Sequence, residues 1–121
     1  MSIERIPSSL PAPFSKAVRA GGFLFLSGVL AMDANGNILP GDIQTQTRAV
    51  LERIAQNLQE CGSSMAQVVR ATIWLSNLED FAAFNEEYAK HFPQGLPARS
   101  CVQAVLYKQA KIEIEVQAWV G

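Results

Sequence analysis

The order of apolar and polar residues predicts short strands before, between and after two helices. From Val18 to Leu30, the glycine pair Gly21-Gly22 precedes the apolar run Phe23 to Leu26, which predicts a β-hairpin with the glycines at its turn. An unbroken apolar run is typical of a strand covered on both faces. The segment Asp33 to Asn37 is rich in Asn, Asp and Gly and predicts a second, exposed turn.

A helical period begins near Ile43. Asp42 predicts the N-cap, and Gly62 predicts the end, because glycine accepts the left-handed backbone that closes many helices. The apolar stripe at helical spacing consists of Val50, Leu51, Ile54, Ala55, Leu58 and Cys61.

A second helix is predicted from Leu78 to Phe92. Asn77 is a capping residue directly before it, and Pro93 cannot continue a helix. The apolar residues that recur at threes and fours are Leu78, Phe81, Phe84, Tyr88 and Phe92.

Three more strands are predicted, from Val68 to Leu75, from Ala98 to Leu106 and from Lys111 to Val120. The first alternates two sets of residues, with Val69, Ala71, Ile73 and Leu75 opposite Val68, Arg70, Thr72 and Trp74. The order is strand, strand, helix, strand, helix, strand, strand, with room for an additional N-terminal strand. Two helices on one face of a mixed sheet make an α+β fold, and we expect one domain over residues 1–121.

The sheet face away from the helices is expected to carry an unusual mixture of side chains. Its members are Glu113, Glu115, Gln117 and Trp119 on the last strand, and Arg70, Thr72 and Trp74 on the middle strand. Tryptophan is enriched at interfaces, and Arg70 is placed to pair with Glu115. The pattern favours self-association through this face, and the alternative is a solvated face with two half-exposed tryptophans.

Composition narrows the class of protein. The formal net charge is −1, which provides no electrostatic attraction to nucleic acid or to an anionic membrane. The N-terminus lacks the apolar region of a signal peptide, so we expect a cytoplasmic protein. We also expect free thiols at Cys61 and Cys101, and no metal site, because His91 is the single histidine and zinc-ligand spacings are absent.

Arg99 is the strongest candidate for binding chemistry. It begins a strand directly after the Pro97-Ala98 turn, where a rigid scaffold can aim a side chain into a cleft. Its planar fork suits a carboxylate or a phosphate. A surface arginine in an ion pair is the plainer alternative.

Other candidates are weaker. Cys101 points to the same side as Arg99 and is better read as a small buried hydrophobe than as a nucleophile. Glu113 and Glu115 share a face roughly 7 Å apart, either as an acid–base pair or as an ion-paired sheet face. His91 is expected to interact with the helix dipole. Residues alone predict a small oligomeric α+β protein with an anion site.

Several segments, taken together, resemble the RidA/YjgF family. They are APFSKAV at 12–18, FLSGVL at 25–30, FNEEYAKHF at 84–92, PARSCV at 97–102 and KIEIE at 111–115. The resemblance runs from about Pro13 to Val120 and rests on the joint occurrence of these segments.

The resemblance implies a chorismate mutase-like fold, assembled as a homotrimer with three clefts between subunits. It also implies an enamine/imine deaminase without a cofactor. Such an enzyme hydrolyses 2-imino acids, 2-iminobutanoate and 2-iminopropanoate among them, to 2-keto acids and ammonia.

The resemblance further implies roles for individual residues. Arg99 matches the carboxylate-binding arginine, and Glu113 matches the glutamate that positions water. The link between PARSCV and KIEIE is a residue shorter than in some members, which leaves Glu115 open for the same role. The remaining substrate-binding positions match Cys101, Asn85, Gly28 and Phe14, the last standing where many members have tyrosine.

Two other functions stay open at this point. One is a non-catalytic protein that binds small carboxylates in the same cleft, which the loss of the tyrosine hydroxyl at Phe14 favours. The other is an endoribonuclease or translation inhibitor, as relatives have been labelled. The near-neutral charge argues against RNA as a partner.

Overall fold

The computed structural model describes residues 2–121. Within them, seven strands and two α-helices follow one another. The strands are β1 Glu4–Pro7, β2 Ser15–Ala20, β3 Phe23–Leu26, β4 Val29–Leu30, β5 Val68–Leu75, β6 Ala98–Gln103 and β7 Ile112–Trp119. The helices are α1 Ile43–Glu60 and α2 Phe81–Ala89, and 3-10 turns cover Met65–Gln67, Leu78–Asp80 and Tyr107–Gln109. The additional N-terminal strand is β1.

The strands form one mixed sheet in the order β1-β2-β3-β7-β5-β6, and β4 also pairs with β7. Neighbouring strands are antiparallel except for β5 and β6, which are parallel and are connected through α2. Gly21 and Gly22 form the predicted hairpin turn, with φ angles of 58° and 80°. The predicted turn at Asp33–Asn37 is also present, and Asp33 Oδ1 accepts hydrogen bonds from two backbone N–H groups within it.

The core lies between the sheet and the two helices. β7 alternates strictly, and its buried side chains are Ile112, Ile114, Val116 and Ala118. They pack with the buried stripe of α1, including Val50, Ile54 and Leu58, and with Phe84 and Tyr88 of α2. The mixed sheet with two helices, an α+β fold, is therefore confirmed.

Local hydrogen bonds set the helix ends. Asp42 Oδ1 accepts from the backbone N–H of Thr45 at 2.8 Å, and Gly62 directly follows the C-cap of α1 with φ +88°, so both predicted ends are confirmed. The regular part of α2 ends at Ala89 instead of Phe92. Beyond it the backbone N–H groups bond three residues back, which tightens the last turn.

Two predictions for β5 were wrong. A bulge between Val68 and Arg70 leaves Val68 buried and Val69 exposed, because an inserted residue shifts the alternation of side chains by one. Arg70 also does not pair with Glu115. Its Nη2 donates to Ser100 Oγ at 2.7 Å, since β6 runs directly beside it.

Two other strands also differ from the prediction. In β3 only one face is covered within this chain, because Leu24 and Leu26 are buried while Phe23 and Phe25 are exposed. β6 ends three residues early because its partner β5 ends at Leu75, whose carbonyl accepts the last bond of the ladder.

No helix in residues 2–121 has the length and apolar character needed to span a membrane. In the same part of the chain, no cluster of three or more His, Cys, Asp or Glu is arranged to hold a metal ion. Cys61 and Cys101 are free thiols, as predicted.

Candidate functional site

The start of β6 places Arg99 on the helix-covered side of the sheet. Arg99 lies opposite Ala71, which is completely buried, so its side chain extends toward α2. There its Nη2 donates to Asn85 Oδ1 at 2.6 Å. The sequence placed Arg99 at a strand start, and the structure adds Asn85 as its hydrogen-bond partner.

Cys101 lies two residues further along the same side of β6, opposite the buried Ile73. Burial raises the pKa of the Cys101 thiol, and the positive charge of Arg99 only partly opposes this. A protonated, half-buried thiol is a poor nucleophile. Arg99, Asn85 and Cys101 thus gather at one corner of the molecule, and we call them the arginine half-site.

Glu113 lies on the opposite face of the sheet. It alternates with the buried Ile112 and Ile114 of β7 and stands opposite Trp74, so its carboxylate points away from the helices. It lines a groove of about 850 Å³. Phe14 and Gly28 line the same groove, and we call these two residues and Glu113 the glutamate half-site.

Gly28 and Glu113 fit closely together. A Cβ atom added at Gly28 would lie 2.1 Å from Glu113 Oε2, far inside van der Waals contact. The missing side chain is therefore what leaves room for the carboxylate. Glu113, and not Glu115, contacts this glycine and lines the groove. This favours Glu113 over Glu115 as the water-positioning glutamate that the family resemblance implies.

The environment of Glu113 changes its acidity. Burial raises the pKa of the Glu113 carboxyl, and the nearby charge of Glu115 raises it further. A carboxylate with a raised pKa is a better proton acceptor at neutral pH than a solvent-exposed one. Shifts of this kind also concentrate at functional sites.

The two half-sites do not meet within one chain. Arg99 is on the helix-covered face, and Glu113 is on the face that β7 turns away from the helices. The structure therefore brings the sequence-predicted residues together as two groups of three. A site containing both groups requires a second copy of the chain.

Sequence reasoning missed two features of α2. The rings of Phe81, Phe84 and Tyr88 lie around Arg99, with centroids 5.0 to 5.5 Å from its Cζ, whereas their spacing indicated only a helical stripe. Glu87 is almost fully buried and accepts from His91 Nε2 at 2.8 Å.

Glu87 also links the helices. It accepts hydrogen bonds from Arg48 of α1, of which the closer is 3.1 Å. Burial acts to raise the pKa of Glu87, but the hydrogen bonds from His91 and Arg48, with the charges of Arg48 and Lys90, outweigh it and lower the pKa below its usual value. This cluster holds α1 to α2 and belongs to neither half-site.

Comparison with known proteins gives consistent matches over nearly the whole chain. The family model described as endoribonuclease L-PSP matches residues 6–120. A RutC family protein from Pyrococcus horikoshii is 43% identical over 118 residues, covering 96% of this chain and 93% of that one. Reactive Intermediate Deaminase A, chloroplastic, from Arabidopsis thaliana is 42% identical over 117 residues, covering 95% of this chain and 62% of that protein.

The fold is shared as well. A crystal structure of a member of the conserved Rid protein family from Yersinia pestis superposes with a TM-score of 0.89 at 33% identity, covering 98% of this chain and all of that one. These matches show that the chain belongs to the endoribonuclease L-PSP family, which is the YjgF/RidA family.

Proposed function

We propose that this protein is a deaminase that hydrolyses 2-imino acids, such as 2-iminobutanoate and 2-iminopropanoate, to 2-keto acids and ammonia. The observation that carries the proposal is the arginine half-site, in which Arg99 is held by Asn85 and its side chain makes no other hydrogen bond within residues 2–121. Such a fork suits the carboxylate of a small imino acid. The family contains a relative that is described as a reactive intermediate deaminase.

The reaction asks little of the protein beyond positioning. Arg99 holds the substrate carboxylate and presents the adjacent imine carbon. Glu113 accepts a hydrogen bond from a water and takes its proton as the oxygen attacks that carbon. The proton then passes from Glu113 to the imine nitrogen, which gives a carbinolamine. Transfer of the carbinolamine hydroxyl proton to the nitrogen, as the C–N bond breaks, releases ammonia and leaves the 2-keto acid. No cofactor is required for these steps.

The same proposal includes a homotrimer of chorismate mutase-like subunits, with each site between two chains. The separation of the two half-sites supports this assembly. Because Arg99 and Glu113 lie on opposite faces of one chain, only the association of two chains can bring an arginine half-site next to a glutamate half-site. The exposed aromatic side chains on the face away from the helices support it too: Phe23, Phe25 and Trp119 are 40%, 45% and 52% exposed, and Phe23 and Trp119 are cross-strand neighbours. Exposed apolar patches of this kind are typical of interfaces.

We propose the cytoplasm as the compartment, one domain over the whole chain, and a small imino or keto acid as the ligand. The Arabidopsis relative is described as chloroplastic, so the family is not confined to one compartment.

The direct test is turnover by the purified protein. In the assay, an amino-acid oxidase generates 2-iminobutanoate in situ and semicarbazide traps the imine that remains. We expect the protein to form 2-oxobutanoate faster than spontaneous hydrolysis does, which is measured as a decrease in the semicarbazone of the imine. Arg99→Ala is the matched control. A wild-type rate equal to spontaneous hydrolysis for several parent amino acids would refute the proposal.

A second candidate is a non-catalytic protein that binds small carboxylates, and Phe14 in the glutamate half-site favours it because a ring without a hydroxyl cannot donate a hydrogen bond to substrate. Binding of 2-oxobutanoate without imine turnover would establish it. The family name also includes endoribonuclease, and cleavage of RNA by the purified protein, lost in Arg99→Ala, would establish that activity instead.

A further inference from the structure

Three aromatic rings of α2 surround the guanidinium of Arg99. The ring centroids of Phe81, Phe84 and Tyr88 lie 5.5, 5.3 and 5.0 Å from its Cζ. Residues spaced by three and four share one side of a helix, so one helix delivers all three rings to the same point beside β6. We call these three residues the aromatic box.

Contacts of this kind fix the orientation of an arginine. A guanidinium within about 6 Å of a ring face is attracted to its electrons, and its planar, weakly hydrated group tolerates loss of water better than an ammonium does. A side chain that is already ordered loses less conformational freedom when a ligand binds. The aromatic box therefore holds the Arg99 guanidinium in one orientation before a ligand binds, unlike the mobile guanidinium of a surface arginine.

Asn85 adds a constraint that rings cannot provide. Ring faces limit how the guanidinium plane tilts, whereas the 2.6 Å bond from Nη2 to Asn85 Oδ1 limits rotation within the plane. This bond uses one of five N–H donors and leaves the others for a carboxylate. Asn85 thus acts on Arg99, and its earlier assignment as a substrate-binding residue is not needed to explain its place.

We propose that Phe81, Phe84, Tyr88 and Asn85 are positioning residues that hold the Arg99 fork ready for the substrate carboxylate. The proposal rests on the deaminase function proposed above. Phe81 is the residue that tests it, because it is 41% exposed while Phe84 and Tyr88 belong to the core. Its replacement removes one wall of the box with little effect on packing.

The test compares Phe81→Leu, which keeps an apolar side chain without a ring face, with Phe81→Tyr, which keeps the ring. We expect Phe81→Leu to weaken calorimetric binding of 2-oxobutanoate by about two- to tenfold, the range expected for the cost of ordering one side chain on binding. KM for the imine should rise in parallel, with kcat nearly unchanged. Phe81→Tyr should keep the Kd for 2-oxobutanoate and the KM for the imine at their wild-type values. Leu78→Ala, an exposed apolar residue one turn earlier, is the control and should change neither.

A structural role would give the opposite pattern, with an unchanged Kd and a lower kcat because fewer molecules fold. That result, or a Kd in Phe81→Leu equal to wild type, would overturn the aromatic box while leaving the deaminase proposal intact. A wild-type protein that neither binds a keto acid nor hydrolyses an imine would overturn both.

A nuclear magnetic resonance measurement tests the aromatic box without any measurement of activity. In a proton–nitrogen spectrum of arginine Nε groups, Arg99 is assigned by the peak missing in Arg99→Lys. We expect its proton to be shifted by the surrounding rings, and the shift to shrink in Phe81→Leu but not in Leu78→Ala. An Arg99 signal at the position of a free arginine in wild type would contradict the proposal.

Discussion

Among single residues, Arg99 carries the largest share of the proposed chemistry. We expect Arg99→Ala to lower kcat/KM for imine hydrolysis by roughly thirtyfold to several-thousandfold. This corresponds to the about 2 to 5 kcal/mol of losing one partner of a desolvated charge pair. Arg99→Lys should recover only part of the loss, because a point charge does not replace a planar fork. A coupled assay of keto acid formation measures both, and wild-type rates in either variant would remove Arg99 from the mechanism.

Gly28 permits a separate test of the glutamate half-site. A methyl group at Gly28 would occupy the place of Glu113 Oε2, so we expect Gly28→Ala to displace the carboxylate and lower kcat/KM by about ten- to hundredfold. The loss of stability should be small, because the displaced atoms end a flexible side chain. In the Glu113→Gln background the same substitution should have no further effect. Additive losses would show that Gly28 acts independently of Glu113.

The raised pKa of Glu113 predicts a pH dependence with a definite sign. Because the ionised form accepts the proton of water, kcat should fall as the pH drops through a value above the usual carboxyl range. Glu113→Gln should abolish this limb and reduce kcat by about a hundred- to ten-thousandfold. An acid limb at an ordinary carboxyl pKa, or one that persists in the variant, would exclude Glu113 as its origin.

The raised pKa of Glu113 also affects the stability of the fold. Low pH should lower activity but remove a destabilising charge. A carboxyl whose pKa is higher in the folded than in the unfolded state destabilises the fold when ionised, so its cost is present above both values and disappears in acid. Glu113→Gln should therefore raise the unfolding free energy near neutral pH and not below about pH 4.

At the residue scale, the sequence predicted the positions of Arg99 and Glu113 in the fold better than it predicted the side chains around them. The motif around Arg99 located it at a strand start, and the alternation of β7 put Glu113 away from the core. The predicted pairing of Arg70 with Glu115 was wrong because Arg70 lies opposite Gln117 on β7 and its side chain reaches Ser100 on the neighbouring β6. The aromatic box was missed because rings at helical spacing also describe an ordinary core stripe.

At the scale of elements, α1 and α2 are held together by more than apolar packing. Glu87 has a pKa below its usual value in the folded state, so its contribution to stability is present above the unfolded pKa and is lost as the pH falls through the folded one. We expect Glu87→Gln to lower the melting temperature near neutral pH, with the difference from wild type vanishing in acid. Thermal unfolding at a fixed protein concentration measures this, with the exposed Glu86→Gln as control. An equal difference at every pH would attribute the effect to packing instead.

Element boundaries followed the sequence where a local signal sets them and departed from it where pairing sets them. Asp42 and Gly62 cap and close α1 as expected. Asn77 instead caps the 3-10 turn Leu78–Asp80, by accepting from the backbone N–H of Glu79, and α2 begins only at Phe81. The end of β6 was misplaced because it depends on where β5 stops, and no local residue announces that.

At the scale of the whole molecule, the proposed reaction depends on the association of at least two chains. Arg99 and Glu113 lie on opposite faces of one sheet, so a single chain cannot present both to one substrate. The sequence also could not show which face of β3 is covered within the chain. An unbroken apolar run is equally typical of a strand buried in its own chain and of a strand that a neighbouring subunit covers. We expect the protein to sediment as a trimer of 13.2 kDa chains.

The most direct test of a site shared between chains is complementation between two inactive variants. Arg99→Ala retains the glutamate half-site and Glu113→Gln retains the arginine half-site. Random association of equal amounts makes about three quarters of the trimers mixed, and each mixed trimer has one junction in three with both residues intact, so co-expression should restore about a quarter of the wild-type kcat/KM. Activity no higher than that of the separate variants, in trimers shown to be mixed, would contradict a site shared between chains.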